Sequence, residues 1–273
     1  MATPVGTVGF RGYSGAELVT ILRKHPHVEP VLLEHREADD GHKPLGHAGP
    51  RRTKLDTENI AASGLAAVLL ATPHEVSMEL AGPFLKAGVK VVDLSGAFRL
   101  ETAENYLRWY KEKHTAPELL PDAAYSIPEF HRAKAAGANL ISNPGCYPTA
   151  ASLAIRPLIQ AGVVDRAAGI ICDAKSGVSG AGRKPTLKTS FCEVTENFSA
   201  YSVLNHRHVP EVLRNSGLEE SEFSFTAHLI PIDRGILETI YFRAKGVKSA
   251  ADLLAIYQKA YEGEPFVRLY APG

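Results

Sequence analysis

The sequence is poor in cysteine, methionine and tryptophan, with three, two and one among 273 residues. Cys146, Cys172 and Cys192 form an odd set with no CxxC spacing. That argues against a disulfide-stapled scaffold and points to free thiols in a reducing compartment, the cytoplasm. An excess of charge is also missing, since thirty Lys and Arg face thirty Asp and Glu. A balanced chain gives no electrostatic reason to expect nucleic acid or an anionic membrane as partner. No apolar run approaches the ~20 residues of a membrane span. The opening Met1, Ala2, Thr3, Pro4, Val5 lacks the basic-then-apolar pattern of a secretion signal.

What is present is an ordinary globular composition, 45% apolar and 22% charged, enough to build a sizeable core. At roughly 100–200 residues per domain, the length suggests two domains. Residues 5–10 read as a short apolar strand, followed by a glycine-rich turn and a helix carrying Leu18, Ile21 and Leu22 at helical spacing. Ser14 and Glu17 are spaced as a capping box at its start. Residues 28–33, 66–71 and 89–94 read as further strands, and 75–87 as a helix. Such alternation predicts βαβ units and a parallel sheet. Residues 140–142 end another strand, and 149–160 form a helix with Pro148 in its first turn. Beyond this the pattern changes. Residues 169–174, 223–232 and 236–244 are strand-like and 250–261 helical, which predicts an α+β domain with a largely antiparallel sheet. The two domains are expected to abut near residues 145–150.

Several segments carry chemistry. Gly9, Gly12 and Gly15 lie between a strand and a helix. Such a turn lets backbone approach a pyrophosphate, which the helix N-terminus attracts. The spacing is GxxGxxG rather than GxGxxG, so a plain tight turn is the competing reading. Glu34 and Arg36 end the second strand. The acid favours NAD through the ribose hydroxyls and the arginine favours NADP through its 2′-phosphate, and the two indications conflict.

Cys146 lies between a Pro-Gly turn and a helix. A helix N-terminus stabilises an anion, and thiolate is the nucleophilic form. A buried structural cysteine is the competing reading, the one preferred for Cys172 and Cys192. His206 and His208, two apart, are candidate proton carriers. They lack a third ligand at metal-site spacing, so no metal is expected. Residues 175–184 form a second glycine-rich loop with cationic ends, including Arg183, suited to a phosphate or to closing over a cofactor. Arg99 follows the fourth strand, at the edge where parallel sheets bind ligands, and Arg234 stands at a strand end, though a lone arginine is more often a surface residue.

Taken together, the segments GFRGYSGAEL (9–18), VVDLSGAFRL (91–100), SNPGCYPT (142–149), DAKSGVSGAGR (173–183), HRHVPE (206–211) and HLIPIDRGI (228–236) resemble the N-acetyl-γ-glutamyl-phosphate reductase family. The resemblance implies an α/β fold: a Rossmann-type NADP-binding domain over 1–147 and an α+β substrate domain over 148–273. It implies a homo-oligomeric enzyme of arginine biosynthesis in which Cys146 attacks the acyl phosphate and NADPH reduces the thioester. One of His206 and His208 handles the proton, with His206 preferred. Gly9, Gly12, Tyr13, Ser14, Gly15, Arg36, Ser176, Gly177 and Gly180 are assigned to the cofactor. Arg99, Asn143, Arg183 and Arg234 are assigned to the substrate. Arg36 matches an arginine that relatives place near the 2′-phosphate, which tips the cofactor toward NADP(H). Family members continue for several tens of residues past the segment at 265–270, so a truncated C-terminus is expected. Aspartate-semialdehyde dehydrogenase, an aminoadipate-type relative and an inactive cofactor-binding fragment are the alternatives.

Overall fold

The computed structural model describes residues 2–35, 49–57 and 60–271. Arg36 therefore lies outside the described residues. The chain divides into two compact units, Met1–Pro144 and Gly145–Gly273.

The first unit begins with β1 (Thr3–Val8), α1 (Tyr13–Leu22), β2 (Val28–Glu34), β3 (Arg51–Lys54), β4 (Ala67–Leu70) and α2 (His74–Lys86). It continues with β5 (Lys90–Asp93), α3 (Ala103–Tyr110), β6 (Ala123–Tyr125), α4 (Pro128–Gly137) and β7 (Leu140–Ser142). Among the described residues seven strands form one sheet, ordered β3-β2-β1-β4-β5-β7-β6. Every pairing in it is parallel. Strand order reverses at β1, where the chain steps outward to β2 and back to β4. That switch point is where an open parallel sheet binds ligands. Pro30 is accommodated in β2 because pairing to β3 starts only at Val31. Val68, Leu70, Leu80, Phe84 and Val91 are fully enclosed in the core, each worth roughly 1.5–3 kcal/mol of burial for the larger side chains.

Two expectations change here. The first helix has Gly12, not Ser14, at its N-cap, and no side chain caps it. The backbone turns helical at Tyr13, so Ser14 already lies inside the first turn and the capping box does not form. The short strands β3 and β6 were not legible: β3 is four exposed residues, Arg-Arg-Thr-Lys, without apolar alternation.

The second unit runs α5 (Cys146–Gln160), β8 (Ile170–Ser176), α6 (Phe191–Val194), β9 (Ser199–Tyr201) and α7 (Val209–Ser216). It ends with β10 (Phe223–Leu229), β11 (Ile236–Phe242) and α8 (Ala250–Ala260). Among the described residues its strands form one sheet, ordered β11-β8-β10-β9. β8 and β10 pair parallel, while β11 and β9 are antiparallel to their neighbours. The sheet is thus mixed, with antiparallel pairing on both flanks. Along β8, Ile170, Cys172, Ala174 and Ser176 are buried, whereas Ile171 is exposed. The period of two leaves one face open and turns the other to the core, which α5 shares through Ala151 and Ile155. Tyr257 of α8 donates to the Ala154 carbonyl at 2.6 Å and anchors that helix to α5.

Candidate active site

In the first unit, β1 runs into a turn that only glycine can make. Gly9 has φ 80°, and a Cβ there would stand 2.2 Å from the Ala71 carbonyl oxygen. The Gly12 N–H closes the turn on the Gly9 carbonyl at 2.9 Å. The first helical hydrogen bond of α1 runs from the Ala16 N–H to the Gly12 carbonyl. The earlier N–H groups, on Tyr13, Ser14 and Gly15, therefore point out of an uncapped end with partial positive charge. Beside the turn lies a cleft of about 190 Å³ lined by Gly9, Phe10, Leu33, Glu34, His35 and Thr72. Glu34 accepts a hydrogen bond from Arg11 at 3.1 Å. The guanidinium groups of Arg11 and Arg52 lie 4.8 and 5.6 Å from the Phe10 ring centre, giving the cleft a cationic rim. Gly9, Gly12, Tyr13, Ser14 and Gly15 thus come together as one turn.

Arg99 and Asn143 also meet, at the C-terminal ends of β5 and β7. Arg99 is buried, and its guanidinium donates to the carbonyls of Asn143 (2.9 Å) and Leu94 (2.8 Å). The Asn143 N–H donates to the Asp93 carbonyl at 2.8 Å. Burial raises the Asp93 carboxyl, opposed by hydrogen bonds from Ser77 and Ser95 and by the charge of Arg99. The arginine braces two loop backbones.

The second unit gathers Cys146, His206 and His208. Cys146 is the first residue of the fifteen-residue α5, and its side chain is exposed. Proline at 148 leaves the N–H groups of Cys146 and Tyr147 at the end of the helix, and the Thr149 N–H returns to the Gly145 carbonyl at 3.0 Å. The imidazole of His208 packs on Gly145, whose added Cβ would lie 2.7 Å from Nε2. The ring centres of His206 and His208 are 4.8 Å apart. The His208 backbone N–H donates to His206 Nδ1 at 3.2 Å, which places the neutral imidazole's proton on Nε2. Burial, aided by the neighbouring Arg207, lowers His206 to about 4, so it is uncharged at neutral pH.

Sequence reasoning assigned no role to three residues of this cluster. Glu211, wholly buried on α7, accepts the Gly145 N–H at 2.9 Å. The hydroxyls of Tyr147 and Tyr201 are 3.0 Å apart, and burial raises both phenols. Tyr147 and Glu211 stand within the quoted motifs, but their partners lie 54 and 66 residues away.

Ser176, Gly177 and Gly180 are held against the segment before β11. The Gly177 N–H donates to the Gly235 carbonyl at 3.0 Å, and Ser179 donates to the Asp233 carbonyl from N–H (3.0 Å) and hydroxyl (2.6 Å). Gly177 has no room for a side chain, since a Cβ would meet the Asp233 carbonyl at 2.7 Å. Arg183 and Arg234 are exposed, and Arg234 pairs with Asp233 at 3.4 Å. Elsewhere, on the first unit, His74, Glu75 and Glu112 bring their donor atoms within 4.8 Å of one another. A 2.9 Å hydrogen bond between His74 and Glu112 accounts for that cluster.

Comparison with known proteins follows the same division. Residues 4–138 match the semialdehyde dehydrogenase NAD binding domain, and residues 146–273 the semialdehyde dehydrogenase dimerisation domain. N-acetyl-gamma-glutamyl-phosphate reductase of Citrifermentans bemidjiense is 44% identical over 98% of this chain and 80% of its own length. The enzyme of that name from Symbiobacterium thermophilum is 43% identical over 100% of this chain and 80% of its own. Among solved structures, aspartate semialdehyde dehydrogenase II of Vibrio cholerae superposes with a TM-score of 0.69 at 19% identity, covering 95% of this chain and 79% of that one. At that identity the likeness concerns the fold. With its relatives above 40% identical across nearly the whole chain, the protein belongs to the N-acetyl-γ-glutamyl-phosphate reductase family of semialdehyde dehydrogenases.

Proposed function

We propose that this chain is an NADPH-dependent reductase that converts N-acetyl-γ-glutamyl phosphate to N-acetylglutamate semialdehyde, a step of arginine biosynthesis. The observation that carries the reading is the exposed Cys146 thiol at the first position of α5, with the imidazole of His208 against the adjoining Gly145. The first unit serves the cofactor and the second the substrate.

The helix end lowers the cost of ionising Cys146. The thiolate attacks the acyl carbonyl, the C–S bond forms, and phosphate leaves with the electron pair of the broken C–O bond. When bound, the dinucleotide would supply a hydride to the thioester carbonyl, whose oxygen then carries the negative charge of a thiohemiacetal oxyanion. Collapse of that adduct breaks the C–S bond, frees the semialdehyde and restores the thiolate. The N–H groups at the start of α5 stabilise the oxyanion of both tetrahedral adducts. The ring against Gly145, next to the nucleophile, belongs to His208, so the proton is assigned to His208 and not to His206, which the sequence favoured. His206 orients it by accepting its backbone N–H.

The uncapped start of α1, the glycine turn and the adjacent cleft fit a dinucleotide: Tyr13, Ser14 and Gly15 offer N–H groups to its pyrophosphate. Arg11 pairs with Glu34, and Arg52 supplies positive charge that a 2′-phosphate requires; Arg36 is assigned to the same phosphate from its place in the sequence alone. Ser176, Gly177 and Gly180 complete the cofactor contacts, and Arg183 and Arg234 receive substrate oxygens. Arg99 serves the substrate through the loops it braces. Three free cysteines suit a reducing cytoplasm, and among the described residues no helix is long and apolar enough to cross a membrane.

The working form is a homo-oligomer. The open face of the second unit's sheet carries Ile171, Leu237 and Tyr241, all more than half exposed, and a second copy would cover them. The chemistry is tested by incubating the protein with the acyl phosphate in the absence of dinucleotide. Mass spectrometry should find an N-acetylglutamyl adduct on the peptide containing Cys146. Phosphate release without any adduct on Cys146 would sink the thioester route.

A further inference from the structure

We infer that Glu211 is a positioning residue for the Cys146 nucleophile, acting through the backbone of Gly145; this rests on the thioester reading above. Gly145 is the N-cap of α5, so the direction of its peptide planes sets where the helix, and with it the Cys146 side chain, begins. Two residues from the start of α7 grip it. The Glu211 carboxylate accepts its N–H at 2.9 Å, and the His208 ring occupies the space beside its Cα.

Both contacts come from one short stretch because of helical geometry. His208 is the N-cap of α7 and Glu211 lies three residues on, in the first turn, which puts the two on the same side of the helix. A single rigid turn therefore fixes the candidate proton carrier and the residue preceding the nucleophile relative to each other. Glu211 is 0% exposed. A polar group so enclosed is retained only where its hydrogen bonds are made. No side chain at 145 could take over the function, since the position has no room for one.

The role belongs to the acceptor oxygen. Gln keeps an oxygen at the same reach, Asp withdraws it by one methylene, and Ala deletes it. In a Cys192→Ser background, which removes the other exposed thiol, each variant is assayed for kcat, KM and the rate of Cys146 alkylation by iodoacetamide. Glu211→Gln should stay within about threefold of the parent in kcat and alkylation. Glu211→Asp and Glu211→Ala should lose roughly ten- to hundredfold in kcat, the effect of an unmade buried hydrogen bond, with KM changed less than about twofold. Their Cys146 should also alkylate several-fold more slowly. A Gln variant as impaired as Ala would overturn the inference, as would an Asp variant equal to the parent or a loss carried by KM alone. Should Ala not fold, the Gln–Asp pair decides the matter. Alkylation needs no turnover: a parent protein inactive on the acyl phosphate would defeat the functional reading, while the alkylation series still judges Glu211.

Discussion

The imidazole of His208 fills the space that a side chain on Gly145 would need, its Nε2 standing 2.7 Å from where a Cβ would be. The backbone of Gly145 itself is unstrained, at φ −67° and ψ 159°, a region open to any residue. A substitution there is thus a test of contact rather than of conformation. Gly145→Ala should push the His208 ring aside, at the cost of overpacking a buried site, and lower kcat/KM by roughly ten- to hundredfold. Circular dichroism should show the fold retained. Steady-state kinetics indistinguishable from the parent would mean that the ring's seat on Gly145 has no bearing on the chemistry.

The two histidines should separate on substitution. Asparagine at 206 keeps an acceptor for the His208 N–H, now met at 3.2 Å by Nδ1. His206→Asn is expected to retain activity within about tenfold, since the side chain orients and is uncharged at neutral pH. His208→Asn should lose the ~10²–10⁴-fold of a general acid–base. A larger loss at 206 than at 208 would reverse the assignment of roles.

Gly9 tests the nucleotide turn. With φ 80° and the Ala71 carbonyl 2.2 Å from an added Cβ, Gly9→Ala meets both backbone strain and a clash. The unfolding temperature should fall by roughly 5–10 °C, and NADPH should no longer raise it. An unchanged melting curve with normal NADPH stabilisation would contradict the turn as described.

Two buried groups set opposite limits on stability against pH. His206 is lowered to about 4 by burial, below its ordinary 6.5, so the unfolded chain takes up its proton first and stability is lost as pH falls through that interval. Glu238 is raised by burial from 4.5 to about 8. Here the folded chain holds the proton longer, so stability declines as pH rises from 4.5 to 8. Above pH 6.5 the His206 contribution is fully present, while that of Glu238 is still being lost. The melting temperature should therefore drop between pH 6.5 and 8.5, and Glu238→Gln should flatten that drop. Parallel curves for the two proteins would refute the burial argument.

The parts of this molecule that could be read in advance are those encoded locally. β1, the glycine turn and α1 announce themselves by apolar runs and spacing, and Cys146 by the Pro-Gly turn before a helix. What escaped is encoded by partners distant in sequence. Glu211 looks like an ordinary first-turn acid of α7 until its carboxylate is seen on Gly145, 66 residues back. Tyr201, in a three-residue strand, acquires meaning the same way, through the Tyr147 hydroxyl. The parallel pairing of β8 with β10 was hidden too, because strand order across 46 intervening residues leaves no local trace.

The central claim is that Cys146 passes an acyl group between phosphate and a nicotinamide-reducible thioester. Its most direct test is the reverse reaction, with N-acetylglutamate semialdehyde, phosphate and NADP⁺ added to the purified protein and NADPH followed by absorbance. The account predicts NADPH formation that requires phosphate, disappears in Cys146→Ala and is not matched by aspartate semialdehyde. Turnover that survives Cys146→Ala, or a preference for aspartate semialdehyde, would contradict it.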